Sequence, residues 1–423
     1  MAAPRPVSQL SAAEPDPVRV ERIGADGDGI AAGPGGKPLY LAGTLPGELV
    51  QPGPLIKRGG GFFAGATVME PSPDRVAPPC PHFGPCGGCT LQHWGEEAYA
   101  RWKAGLVGAA LRTDLPPLAR TAPGARRRID LAIRREGRQV RIGLHRRRSP
   151  EVVDMHACPI LHPALFRVVQ ALRPVLLELA GLRREGSAVL NLLESGPDLL
   201  LRTDADLSAA DRARLAGFAR AQGMPRVSWA RGNGPAEPAA SLRPAIHTLG
   251  GWETELPPGA FLQASSEGEQ AIVEAVLAAL PAKPKLAIIE LFAGAGSLTH
   301  ALSARGRVTA YEGAQAAVTA LRRAGNPKMT VVQRDLARQP LQAAELKGAG
   351  AVVLDPPYAG AAAQMPALAV SGAPVIYVSC NPAALARDSR PLLAAGYRLA
   401  SLAGIDQFLW SSQVESVAAF RRD

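Results

Sequence analysis

The sequence predicts an α/β protein. Its C-terminal part reads as a doubly wound parallel sheet, preceded by a small N-terminal β-barrel and an α+β middle region. Three observations predict this. From about residue 260, short apolar runs alternate with Ala-rich helical stretches, the rhythm of parallel βαβ units. Residues 16–70 hold only short apolar segments parted by glycine turns, such as Asp26-Gly27-Asp28-Gly29 and Gly59-Gly60-Gly61, the pattern of an OB-like barrel. At 423 residues, the chain exceeds what one core ordinarily serves.

In chain order, residues 1–15 are rich in Ala, Pro and Ser and are expected to be disordered. Residues 71–92 carry Pro, Gly and Cys but little to build a core. Residues 93–113 read as a helix with Trp94, Tyr99 and Trp102. Basic strands follow within 126–148, then a helix near 162–183, two apolar strands, and a Ser/Asp-started helix near 207–222. In the last part, strands fit at 285–290, 307–311, 329–332, 351–354 and 374–378. The expected division is therefore 1–15, 16–70, 71–259 and 260–423. Sheets of the last kind bind ligands at the carboxyl ends of their strands.

Composition narrows the function class. No apolar run approaches the ~20 residues of a membrane span, and no charged-then-apolar leader ends in a small-residue cleavage site. The expectation is a cytoplasmic monomer without a membrane partner. The net charge is +10, and it is concentrated. Residues 126–148 hold ten arginines against Asp130 and Glu136, a net +8. Such a stretch fits a polyanion, because cationic side chains gain affinity by releasing counterions from phosphates; it also fits a merely solvated face. The five cysteines, an odd count without a leader, argue against a disulfide framework.

Chemistry-bearing residues fall at the predicted strand ends. Glu290-Leu-Phe-Ala-Gly-Ala-Gly-Ser297 follows an apolar strand and opens a helix. Gly294 and Gly296 permit a tight turn and close approach to a ligand. No P-loop lysine follows, and the third glycine of a dinucleotide fingerprint is Thr299. Glu312 closes the next strand, where a carboxylate can accept from two ribose hydroxyls. Asp335 follows the third strand and Asp355 the fourth. Each acid singly also fits a helix N-cap. Together they resemble the class I S-adenosylmethionine-dependent methyltransferases, since a cationic sulfonium suits an acid-lined, phosphate-free site.

Two further motifs bear on the reaction. Asp355-Pro356-Pro357-Tyr358 resembles the motif of enzymes that methylate exocyclic amines of nucleobases. Ser379-Cys380-Asn381-Pro382 points elsewhere. Carbon 5 of uracil needs a thiolate added at carbon 6 before it can attack a methyl group, and a base must then remove its proton. Cys380 can supply the thiolate and Glu415 the base; the plain alternatives are an inert buried thiol and a surface charge. Cys80, Cys86, Cys89 and the distant Cys158 present four thiolates, which suit tetrahedral zinc or, in this three-plus-one spacing, a [4Fe–4S] cluster.

With these residues in view, the chain resembles the RNA uracil-5-methyltransferases, in particular the bacterial 23S ribosomal RNA enzymes that carry an iron–sulfur cluster. The likeness runs over nearly the whole chain. It covers the OB-like barrel, the Cys-x5-Cys-Gly-Gly-Cys…Cys-Pro set, Phe261-Leu262-Gln263, the 290–297 motif, Ser379-Cys380-Asn381-Pro382 and Val414-Glu415. It implies a Rossmann-like class I methyltransferase domain, an RNA-binding TRAM domain at 16–70 and a [4Fe–4S] cluster on Cys80, Cys86, Cys89 and Cys158. It also implies S-adenosylmethionine held by Gln263, Phe292, Gly294, Glu312, Asp335 and Asp355, with Cys380 as nucleophile and Glu415 as base. Ribosomal RNA is expected over transfer RNA, because the bacterial transfer-RNA enzymes often lack both accessory parts. Two motifs depart from the family: Tyr358 replaces an arginine, and Ser412-Gln413 replaces Pro-His. Amine methylation of a nucleobase and non-catalytic RNA binding are the other expectations the sequence carries.

Overall fold

A computed structural model describes residues 15–114 and 117–422. Residues 1–14 of the tail expected to be disordered lie outside the described residues. The chain forms two compact units: one runs up to Leu106 and takes in Trp410–Ser412, the other holds Val107–Leu409 and the residues from Gln413 onward. Among the described residues no helix is long and apolar enough to cross a membrane.

The first unit is built on two small sheets. One orders its strands Arg22–Ile23, Gly29–Ala32, Pro38–Leu41, Gly61–Ala64 and Ile56–Arg58; the other pairs Leu49–Pro52 with Val18–Arg19 and Ala66–Glu70. Alternation along these strands turns Leu39, Leu41, Val50 and Phe62 inward to a common core. Buried Glu48 fastens the following segment, accepting from Arg75 Nη2 at 2.8 Å and from the Ser72 N–H at 3.2 Å. The helix predicted at 93–113 is Glu96–Leu111.

In the second unit, a seven-stranded mixed sheet carries the helices Pro163–Glu178 and Ala209–Ala221 over one apolar core. The second helix starts on a reciprocal Ser208–Asp211 capping box. Alternation in strand Arg128–Glu136 sends Ile129, Leu131 and Ile133 into that core.

The C-terminal sheet, in the same unit, has eight strands. Their order is Met329–Gln333, Gly306–Glu312, Leu286–Leu291, Ala351–Leu354, Val375–Ser379, Glu415–Arg421, Arg398–Asp406 and Ala119–Arg120. All neighbouring pairs are parallel except those made by Glu415–Arg421, which runs against both its neighbours. Helices on both faces explain why Ala351–Leu354 and Val375–Ser379 are buried at every position. The α/β class expected of this region is the class it adopts.

Candidate active site

The parallel strands end on one edge of the sheet, and the reversed strand begins there. Ser379, at the end of its strand, pairs with Ser416, whose Oγ donates to the Ser379 carbonyl at 3.0 Å. The next residue along one strand is Cys380 and the preceding residue of the other is Glu415. The antiparallel reversal thus brings together two side chains that lie 35 positions apart in the chain. Asn381 then caps the helix Pro382–Ala394, its Oδ1 accepting from Ala383 at 3.1 Å and Ala384 at 3.2 Å.

Charge is crowded at this edge. Burial, and then the charges of Glu415 and Asp355, push the Cys380 thiol up to about 12. Glu415 is itself held above the ordinary carboxylate range by burial and by Asp355, and Asp355 is raised by burial. Behind them Glu290, 2% exposed, is pushed up to about 8 by burial, with the charges of Asp355 and Glu312 adding to it. These groups share too little solvent to be ionised together. A bound cation would relieve them, and a thiolate forms there more readily once a neighbouring carboxyl is neutral.

The turn after strand Leu286–Leu291 is tightly constrained. Phe292 has φ 64°, a left-handed conformation rare outside glycine. Gly296 has φ 112°, and a Cβ there would lie 2.6 Å from Leu321. The Gly294 N–H donates to Glu312 Oε2 at 2.9 Å and the Ala314 N–H to Oε1 at 2.7 Å. Glu312 is therefore fixed on both oxygens at the end of its strand, with lone pairs left for hydroxyl donors. Asp335 is exposed; its Oδ1 accepts from Ala337 at 3.0 Å and Arg338 at 3.2 Å.

A buried amide network links Asp355 to Glu415. Gln263 Nε2 lies 3.4 Å from Asp355 Oδ2. Gln407, just past strand Arg398–Asp406, donates from Nε2 to Gln263 Oε1 at 2.7 Å and to Glu415 Oε2 at 2.9 Å. Arg127 holds the segment carrying Gln263. Its backbone N–H donates to the Ala264 carbonyl at 2.8 Å and its Nε to the Gln263 carbonyl at 3.2 Å, while its guanidinium is paired with Glu269. Sequence reasoning missed Gln407 and Arg127. No motif marks Gln407, and Arg127 stands in an arginine run that reads as one solvated face.

That run serves the fold at several points. Arg135 donates to the carbonyls of Leu177, Leu179 and Leu182 at the end of helix Pro163–Glu178, and Arg134 pairs with Glu185. Tyr358 is 61% exposed, on a loop tied down by Asp388, which accepts from the Ala361 N–H and the Tyr377 hydroxyl, both at 2.7 Å.

All four upstream cysteines are half-buried. In the first unit, Cys80 and Cys86 bracket a tight turn, and the Cys86 thiol is pushed up by burial and by the nearby Cys80. Cys158 lies in the second unit, packed against its core. Among the described residues no group of three or more His, Cys, Asp or Glu side chains is drawn together as a metal site.

The chain is similar to known proteins over most of its length. Residues 333–422 match the model of the tRNA (uracil-5-)-methyltransferase family. An uncharacterized RNA methyltransferase of Caulobacter vibrioides is 37% identical over 95% of this chain and 99% of its own length. The 23S rRNA (uracil(1939)-C(5))-methyltransferase of Cronobacter sakazakii is 34% identical over 96% of each chain. The tRNA (uracil-54, C5)-methyltransferase of Pyrococcus abyssi, solved with S-adenosyl-L-homocysteine, shares the fold at a TM-score of 0.74. It is 20% identical and covers 96% of this chain and 99% of that one.

Proposed function

Because the chain belongs to the RNA uracil-5-methyltransferase family, we propose that it methylates carbon 5 of a uridine in 23S ribosomal RNA through a covalent adduct on Cys380. The observation that carries this reading is the meeting of Cys380 and Glu415 at the strand edge beside Asp355. Amine methylation needs neither a thiol nor a base there.

The chain's own residues divide the work. Gln263, Phe292, Gly294, Glu312, Asp335 and Asp355 form the shelf for S-adenosylmethionine. The anchored Glu312 carboxylate suits a ribose diol, open space beside Gly294 leaves its backbone approachable, and buried acids suit a cation. The cofactor, when bound, supplies an electrophilic methyl group. The Cys380 thiolate bonds to carbon 6, making carbon 5 an enolate carbon that would take the methyl as its bond to the sulfonium sulfur breaks. Glu415 then accepts the carbon-5 proton, the sulfur–carbon bond breaks, and the ring double bond returns. Tyr358 offers an exposed ring on which a base can stack.

Residues 16–70 are read as an OB-like TRAM module that widens the RNA footprint. Cys80, Cys86, Cys89 and Cys158 are read as ligands of a [4Fe–4S] cluster. The nearby Cys80 disfavours the Cys86 thiolate, the kind of repulsion a cationic centre relieves. The enzyme is read as a cytoplasmic monomer.

Nucleoside mass spectrometry of 23S ribosomal RNA lacking the modification, after incubation with the enzyme and labelled cofactor, tests the reading. Labelled 5-methyluridine is expected. An N-methylated base would shift the reading to amine methylation, and no label to RNA binding alone.

A further inference from the structure

We infer that Gln407 is a positioning residue for Glu415, its buried amide holding the base and the cofactor shelf in one hydrogen-bonded register. This rests on the covalent reading above.

The orientation of the amide is settled by the backbone. Gln407 Oε1 accepts from the Ala264 N–H at 3.0 Å. A backbone N–H can only donate, so the carbonyl end of the amide faces Ala264, and the NH₂ end must face Glu415 and Gln263. Both of its hydrogens are then committed, one to Glu415 Oε2 at 2.9 Å and one to Gln263 Oε1 at 2.7 Å. The choice passes onward: with its Oε1 occupied, Gln263 turns its own NH₂ toward Asp355 Oδ2, 3.4 Å away. Gln407 is 4% exposed, so solvent does not replace a lost bond. Its stem is clamped as well. Gly268, in the first turn of helix Ser266–Ala279, lies so close that a Cβ there would be 2.7 Å from Gln407 Cβ.

The bond to Glu415 has a consequence for the base. The charged groups that act on the Glu415–Cys380 pair are Asp355 and the pair itself. Burial and Asp355 favour protonated Glu415, whereas the N–H from Gln407 favours the carboxylate. A protonated Glu415 cannot take the carbon-5 proton. Removing the donor should therefore stall the reaction after methyl transfer and before release, and extend the stall to higher pH. Attack by Cys380 needs no donor from Gln407.

Gln407→Leu and Gln407→Met keep the bulk of the side chain and remove both polar ends; the unbranched Met guards against misfolding by Leu. Uridine RNA and cofactor are supplied to the full-length enzyme, and three quantities are read: single-turnover methyl transfer, protein–RNA adduct on a denaturing gel, and the pH profile of turnover. At saturating cofactor, methyl transfer is expected within about threefold of wild type, with turnover down by tenfold or more, in keeping with loss of ~10²–10⁴-fold proton-transfer catalysis. Methylated adduct should accumulate, and the acid limb should move to higher pH. A variant that binds cofactor yet releases product at the wild-type rate overturns the inference. So does a loss of turnover with no adduct and an unmoved acid limb, the mark of a merely structural role. Wild type run with 5-fluorouridine RNA separates this from the underlying reading: if it forms no adduct, the covalent mechanism has failed, not the placement of Gln407 alone.

Discussion

Asn381 Nδ2 donates to the backbone carbonyl of Tyr358 at 2.9 Å. The residue after the candidate nucleophile thereby holds the loop that carries the exposed ring, while its Oδ1 accepts from Ala383 and Ala384 to start the next helix. The two ends of one amide can be separated by mutation. Asn381→Ala should cost about 1 kcal/mol of stability through the lost cap and raise KM for RNA through the loosened loop. Asn381→Asp keeps the cap acceptor and loses the donor, so its melting temperature should return toward wild type while KM for RNA stays high. An Asp variant with wild-type KM would show that the loop does not depend on this bond.

The raised Cys380 thiol sets a pH dependence for attack. Its value is pushed up to about 12, first by burial and then by Glu415 and Asp355. Attack needs the thiolate, and well below that value the thiolate fraction grows roughly tenfold per pH unit. Formation of the 5-fluorouridine adduct should therefore quicken steadily from pH 6 to pH 9. A rate flat over that range would mean that the thiol is already ionised in the complex.

Much of the C-terminal sheet was legible in the sequence, for a physical reason. Strands buried on both faces must be apolar throughout, and Ala351–Leu354 and Val375–Ser379 read as such runs. The acids and the cysteine were legible because a parallel sheet places the residue after each strand on one edge. Pairings between distant segments were not. Gln407 and Gln263 are 144 positions apart, and Arg127 and Glu269 are 142 apart. Neither contact leaves a local period. In the arginine run, what separates Arg127, almost fully buried, from its neighbours is the loop segment of residues 263–264 beside it, which charge counting cannot see.

Glu290 makes the stability of the unliganded protein depend on pH. Its carboxyl is pushed up to about 8 by burial, reinforced by Asp355 and Glu312. Between the ordinary glutamate value and that one, the folded state keeps a proton that the unfolded chain has released. The folded state binds more protons there, so stability falls as pH rises through this window. Glu290→Gln, neutral at every pH, should gain melting temperature over wild type at pH 8.5 and little or none at pH 5. An equal difference at both pH values would mean that Glu290 is already ionised in the fold.

Cys80, Cys86, Cys89 and Cys158 are expected to bind iron and acid-labile sulfide, with broad absorption near ~400 nm after anaerobic purification. Replacing any one with Ser should abolish that absorption and lower the melting temperature, since residues 71–92 have few apolar side chains to hold them. Stoichiometric zinc without iron in anaerobically purified protein would overturn the cluster.

Substrate choice is the last expectation, and the fold does not decide it. The chain shares its fold with a transfer-RNA enzyme of Pyrococcus abyssi over 96% of its length, while a relative 34% identical acts on 23S ribosomal RNA. What favours ribosomal RNA is the accessory surface, a β-rich N-terminal module and a basic central region, which offers a wide footprint for a folded RNA. Deleting residues 1–70 would be a poor test. Glu48, within that span, fastens Ser72 and Arg75, so its loss would disturb the cysteine loop as well as the barrel. The intact enzyme should instead be given unmodified 23S ribosomal RNA and unmodified bulk transfer RNA at equal uridine content. Label should enter the ribosomal RNA faster, and its binding should weaken steeply with salt, as expected when several phosphates are neutralised. Faster labelling of transfer RNA would reverse the assignment and make Tyr358, exposed on its loop, the first residue to exchange in search of the cause.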